Sequence, residues 1–91
     1  DEVGPGFDAQ SDDELNEYVR SKADTAYHPC GTCKMGVDDM AVVDENLKVK
    51  GIQNLRVIDA SVIPEIPSAN LNAPTLMIAE KGSDCILQSR Y

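Results

Sequence analysis

The sequence predicts an α/β fragment, incomplete as an isolated fold. Three features carry that prediction. A helix with its own start signal opens the ordered part of the chain, at about residues 12–24. A short apolar run, Leu55-Arg56-Val57-Ile58, reads as a strand buried on both faces, yet the chain offers no comparable strands to flank it. A largely apolar helix led by Pro74 closes the chain at about residues 74–88.

The elements follow in order. Residues 1–10 read as a loop or linker punctuated by Gly4-Pro5-Gly6. Ser11 followed by Glu14 has the spacing of a capping box, in which each side chain bonds the other residue's backbone N–H. Leu15, Tyr18, Val19 and Lys22 then recur at helical intervals beneath an acidic outer face. Pro29 and Gly31 end regularity, so residues 28–41 are expected to be mostly loop. Val42-Val43 and Leu47-Val49 are short strand candidates separated by an Asp44-Glu45-Asn46 turn. Asp59 stands at the C-terminal end of the 55–58 strand, where α/β sheets bind ligands. Pro64 and Pro67 keep residues 60–73 irregular. Pro74 suits a first helical turn, with Asn72 or Ala73 at the cap. Gly82 inside this helix costs about 1 kcal/mol relative to Ala, so a packing reason is expected.

Composition limits the function. The chain has 91 residues, 8 basic and 16 acidic, for a formal charge of -8. Such a balance argues against a nucleic-acid partner, because phosphate backbones attract concentrated positive charge. Three cysteines, an odd number, suit a reducing compartment better than a disulfide scaffold. No run approaches the length of a membrane span. The acidic start resembles no secretory signal. It also lacks an initiator Met, which leads us to expect an excised or processed piece of a longer chain.

The stretch Thr25–Gly36, TAYHPCGTCKMG, concentrates the reactive side chains. Cys30 and Cys33 form a CxxC, which serves in zinc sites and dithiol redox pairs. His28 and Cys85 do not complete a recognised ligand spacing, so the thiols are read as loop packing and no metal is expected. His28 is either a structural histidine or a general base, since imidazole accepts a proton near neutral pH. Asn70 and Asn72 either form a turn and cap the helix or orient a substrate oxygen. The helix N-terminus beyond them offers unpaired N–H groups and a positive dipole end, which suits an anion. Asp59 either binds a cofactor's hydroxyls or satisfies loop amides. Glu65 either meets a cation or faces water.

Three separated blocks then carry a resemblance: YHPCGTCKMG, the stretch NLRVIDASVIP, and SANLNAPTLMIAEKGSD. Over roughly residues 24–88 the chain resembles the C-terminal signature of the glucose–methanol–choline (GMC) oxidoreductases, two-domain flavoproteins that bind FAD. Within that family the wording is nearest to the choline-oxidising members. The resemblance implies that residues 11–54 end the substrate-binding domain and carry the active-site loop. Residues 55–91 would complete the FAD-binding domain. It puts His28 on the active-site histidine and Asn70 on its partner position. Asp59 and Ala60 match the strand end beside the ribityl-pyrophosphate of FAD. Asn72, Pro74 and Thr75 match the segment under the isoalloxazine ring. The implied reaction is oxidation of a primary alcohol, choline giving betaine aldehyde, with a quinone or respiratory acceptor; an oxidase sibling would use dioxygen. The implied partners are the remainder of the parent chain and a small-molecule alcohol. The implied setting is cytoplasmic or peripheral to a respiratory membrane, bacterial or mitochondrial. The fingerprint G-x-G-x-x-G is not in these residues, so the isolated chain is expected not to turn over substrate.

Overall fold

Two helices and one 3-10 turn are the regular elements of the computed structural model, which describes residues 1–89. Positions 90 and 91, the end of the segment expected to complete the FAD-binding domain, lie outside the described residues.

Helix α1 spans Asp12–Lys22, and its start is as the sequence dictates. The Ser11 side chain accepts the Glu14 N–H at 3.3 Å, and the Glu14 carboxylate accepts the Ser11 N–H at 3.0 Å. Three acidic residues sit in the first turn and two basic ones in the last, which complements the helix dipole. The helix ends two residues before the expected boundary. None of its residues is buried, so its apolar stripe has little to pack on in this chain. Tyr18 lies against Gly4, where an added β-carbon would stand 2.5 Å from the phenolic oxygen.

The core lies in the C-terminal two-thirds of the chain. Val43, Leu47, Val62, Ile63, Leu71 and Ile78 form one buried cluster, with Val43 and Val62 fully enclosed. Cys30, Met35, Val57, Ile58 and Ala60 pack against it. Helix α2 spans Asn72–Gln88 and supplies Ile78 and the buried Gly82.

The expected strands do not assemble into a sheet among the described residues. They appear as three isolated bridges: Met35 parallel to Val43, Val43 antiparallel to Val49, and Lys48 antiparallel to Arg56. The 55–58 run therefore contributes one bridge, at Arg56, rather than a strand. A strand is stabilised by neighbours on both sides, and these residues supply too few. The turn between the first two candidates does form. The Asp44 carboxylate accepts the N–H groups of Asn46 and Lys48 at 2.8 and 3.0 Å, and Leu47 takes positive φ of 63°.

Two further expectations are corrected. The cap of α2 is Leu71 rather than Asn72 or Ala73, and it makes no side-chain capping bond. Burial of the Leu71 side chain in the core sets where the helix begins. Asn72 and Ala73 become its first helical residues, and Pro74 follows within the first turn, as expected.

The chain is drawn out rather than closed. Its extents are 65 × 28 × 15 Å and its radius of gyration is 19.8 Å. A compact chain of this length would have a radius near 12 Å. Its accessible surface of 7362 Å² exceeds the roughly 5,200 Å² expected for a folded globule of this mass. Large apolar side chains stand in the open, among them Val37, Met40, Ile66 and Met77. These residues alone do not close a globular core.

Candidate functional site

The three motif blocks meet on the same core. The loop after His28 reaches it through Cys30 and Met35. The Cys33 N–H donates to the Ser61 carbonyl at 2.9 Å, and the Met35 N–H to the Val62 carbonyl at 2.8 Å. These two bonds tie the histidine loop to the segment beginning at Asp59. Gly31 supplies the backbone this loop needs: it adopts φ of 87°, a conformation that L side chains rarely take. The 60–63 segment in turn packs against the start of α2 through Val62, Ile63 and Leu71.

The predicted site residues stand at the edge of this junction. His28 is exposed, two residues before Cys30 enters the core. Asn70 is exposed, one residue before buried Leu71. Among the described residues, neither side chain has a hydrogen-bond partner. Glu65 and Asn72 are likewise exposed.

Asp59 has a structural task. It is the N-cap of the 3-10 turn Ala60–Val62. Its Oδ1 accepts the Ser61 hydroxyl and, at 2.8 Å, the Ser61 N–H. These two donors, the hydroxyl first, hold its carboxyl below the usual range. Ala60 is half-buried against the core. Thr75 spends its hydroxyl inside α2, donating to the Leu71 carbonyl at 2.6 Å.

The start of α2 offers backbone rather than side-chain chemistry. No side chain caps it, and Asn72 and Ala73 carry free N–H groups on exposed residues. Seventeen helical residues aim the positive dipole end at this point. An uncapped helix start of this kind favours a negatively charged group.

A broad depression lies elsewhere. It measures about 890 Å³ and is lined by the 48–56 loop, including Lys48, Lys50, Asn54 and Arg56. None of the predicted site residues lines it. Its breadth reflects an open loop, and two of its three cations are engaged by backbone carbonyls. Lys50 Nζ donates to the Asp38 carbonyl at 2.7 Å, and Arg56 Nε to the Asn46 carbonyl at 3.1 Å.

The cysteines are free, and all three are half-buried. No group of three His, Cys, Asp or Glu side chains converges as a metal site among the described residues. No helix there is long and apolar enough to cross a membrane.

The Thr25–Gly36 stretch holds one feature that the sequence reading did not assign, a turn just before His28. Tyr27 has φ of 59°, a left-handed conformation that costs a bulky L-residue about 1–2 kcal/mol. The Thr25 hydroxyl oxygen accepts the Tyr27 N–H at 3.1 Å, and Asp24 Oδ1 accepts the Thr25 N–H at 2.7 Å. An Asp-Thr pair two residues before an aromatic is a side-chain turn signal, and it was legible in the sequence.

Comparison with known proteins adds the context. The family model described as GMC oxidoreductase matches residues 1–79. The chain is 59% identical over 85 residues to an oxygen-dependent choline dehydrogenase of Klebsiella pneumoniae subsp. pneumoniae, covering 93% of this chain and 15% of that protein. The same identity and coverage hold for an oxygen-dependent choline dehydrogenase of Cronobacter sakazakii. The Escherichia coli protein of that description is 56% identical, again covering 93% of this chain and 15% of that protein. Among solved structures, pyridoxine 4-oxidase from Mesorbium loti superposes with a TM-score of 0.80 at 40% identity, covering 90% of this chain and 16% of that one. The chain thus spans about 15% of the length of the relatives it matches.

Proposed function

The chain belongs to the GMC oxidoreductase family, and from that premise we propose that it is the active-site-histidine segment of an FAD-dependent enzyme oxidising choline to betaine aldehyde. One observation carries the reading: the chain is 59% identical to an oxygen-dependent choline dehydrogenase over 85 residues, a span that takes in all three motif blocks. The meeting of those blocks on one core supports it. FAD, when bound, supplies the acceptor, at N5, for the hydride leaving the alcohol carbon.

The chain's own residues do the remaining work. A ring nitrogen of His28 takes the hydroxyl proton, since imidazole is a base near neutral pH. The resulting imidazolium and the Asn70 amide hold the developing alkoxide, so its charge forms among polar groups already in place. Asn70 aligns the oxygen, and alignment matters because transfer needs reacting atoms in near-contact geometry. The free N–H groups at the start of α2 favour negative charge on the cofactor. Asp59 and Ala60, at the turn that Asp59 caps, would hold the ribityl-pyrophosphate part of FAD. Cys30 and Cys33 pack the loop and bind no metal.

The electron acceptor is a quinone, a respiratory carrier or dioxygen. The enzyme works in the cytoplasm or peripherally on a respiratory membrane. The alternative is another GMC-family alcohol dehydrogenase or oxidase, favoured by the 40% identity to pyridoxine 4-oxidase. A small non-enzymatic zinc or binding module is the weakest reading: among the described residues no third ligand joins the two cysteines.

The deciding experiment expresses the full-length parent, records its flavin spectrum, and compares choline with simple primary alcohols under a quinone analogue and under dioxygen. A flavin spectrum with choline turnover is expected. Turnover of other alcohols without choline would reject the choline assignment, and absence of flavin would reject the family reaction.

A further inference from the structure

We propose that Thr25 is a positioning residue for His28: its hydroxyl holds Tyr27 in a left-handed backbone and so sets the direction in which the chain enters the His28–Pro29 step. The assignment rests on His28 being the catalytic base.

All the residues from Asp24 to Pro29 are exposed. They bridge from Ala23, the C-cap of α1, to Cys30, where the chain joins the core. Among the described residues little packing aims His28, and the bonds in place before it are local. Pro29 already disfavours helical backbone at His28. Tyr27 is the remaining hinge. It is 78% exposed, so its ring does not anchor it, yet its φ is 59°. The bond holding that conformation is the one from the Tyr27 N–H to the Thr25 hydroxyl oxygen, 3.1 Å long. Thr25 is itself fixed from behind, its N–H donating to Asp24 Oδ1 at 2.7 Å. A chain of two short bonds thus runs from the end of α1 to the residue before the histidine. Without the hydroxyl, Tyr27 relaxes toward negative φ and the imidazole swings off its line to the substrate oxygen.

The test uses the full-length flavin-loaded parent with choline as substrate. Thr25→Val keeps the shape and removes the acceptor, whereas Thr25→Ser keeps the acceptor. The Val variant is expected to lower kcat by about ten- to a hundredfold, the scale of a small misplacement of a reacting group. KM, flavin content and melting temperature stay near the unmutated values, and the Ser variant restores most of the turnover. Asp24→Ala should lower kcat in the same direction by less, and it decides the matter if the Val variant does not fold. Unchanged kcat in Thr25→Val overturns the assignment. So does a loss of kcat that tracks flavin loss or melting temperature and is not restored by Ser. An unmutated parent that oxidises no alcohol overturns the reading of His28 beneath it, and that failure is visible before any substitution is made.

Discussion

Gly82 of α2 lies directly against Ile58. A β-carbon on Gly82 would stand 2.5 Å from Ile58 Cγ2 and 2.9 Å from Ile58 Cδ1. The contact seats the middle of α2 on the segment leading into the Asp59 turn. It explains why a residue unfavourable to helices sits inside an otherwise apolar helix.

Gly82→Ala therefore sets two effects against each other. Helix propensity favours Ala by about 1 kcal/mol, whereas overpacking a fitted contact costs about 1–3 kcal/mol. The clash should win, lowering the melting temperature of the full-length parent. In an Ile58→Ala background the same substitution should become neutral or stabilising. Equal effects in both backgrounds would show that the two residues are not coupled.

His28→Ala in the parent should lower turnover by about a hundredfold or more, the usual share of a general base. Flavin should stay bound, because the ring is exposed and outside the core. The readouts are kcat with saturating alcohol and the flavin-to-protein absorbance ratio. Loss of flavin in a folded protein would instead place the histidine in cofactor retention.

The Asp59 turn should depend on acid. Its carboxyl is held below the ordinary value by the Ser61 hydroxyl and N–H. A group depressed in the folded state contributes stability above its unfolded pKa, and that contribution is lost as pH falls through the folded pKa. The turn should therefore be intact at neutral pH and release only below the ordinary carboxylate range. The Ser61 amide, followed by NMR hydrogen exchange or chemical shift, reports this. Asp59→Asn, which cannot ionise, should abolish the pH response; a response that survives would assign it to another group.

The isolated chain should melt broadly and with low cooperativity, because its surface exceeds that of a closed globule. Calorimetry or far-ultraviolet circular dichroism measures the width of the transition. A sharp two-state transition would mean that the drawn-out shape closes in solution.

Cys30 and Cys33 should bind no stoichiometric zinc in the purified parent. Metal analysis before and after Cys33→Ser checks this, and zinc lost with the substitution would revive the metal reading.

Local chemistry was legible in the chain itself. The Ser11–Glu14 capping box, the turn at Asp44 and the first-turn place of Pro74 depend on residues a few positions apart. Each side chain therefore carries its partner with it. The motif blocks around His28, Asp59 and Asn70 were legible for another reason: residue types at short spacing are written into the chain. The strand at 55–58 was not, because a strand depends on neighbours that these residues do not include. Tertiary structure alone decided that Leu71, by entering the core, starts α2 ahead of the two candidate caps. It alone showed that Gly82 is fitted to Ile58, twenty-four positions away in the chain. It also gave Asp59 the loop-amide role that the sequence had offered as one of two, as the cap of a turn, and made Tyr27 a left-handed hinge before the histidine. Contacts between distant positions and the choice of φ are settled by packing and by competing hydrogen bonds, which residue type does not specify alone.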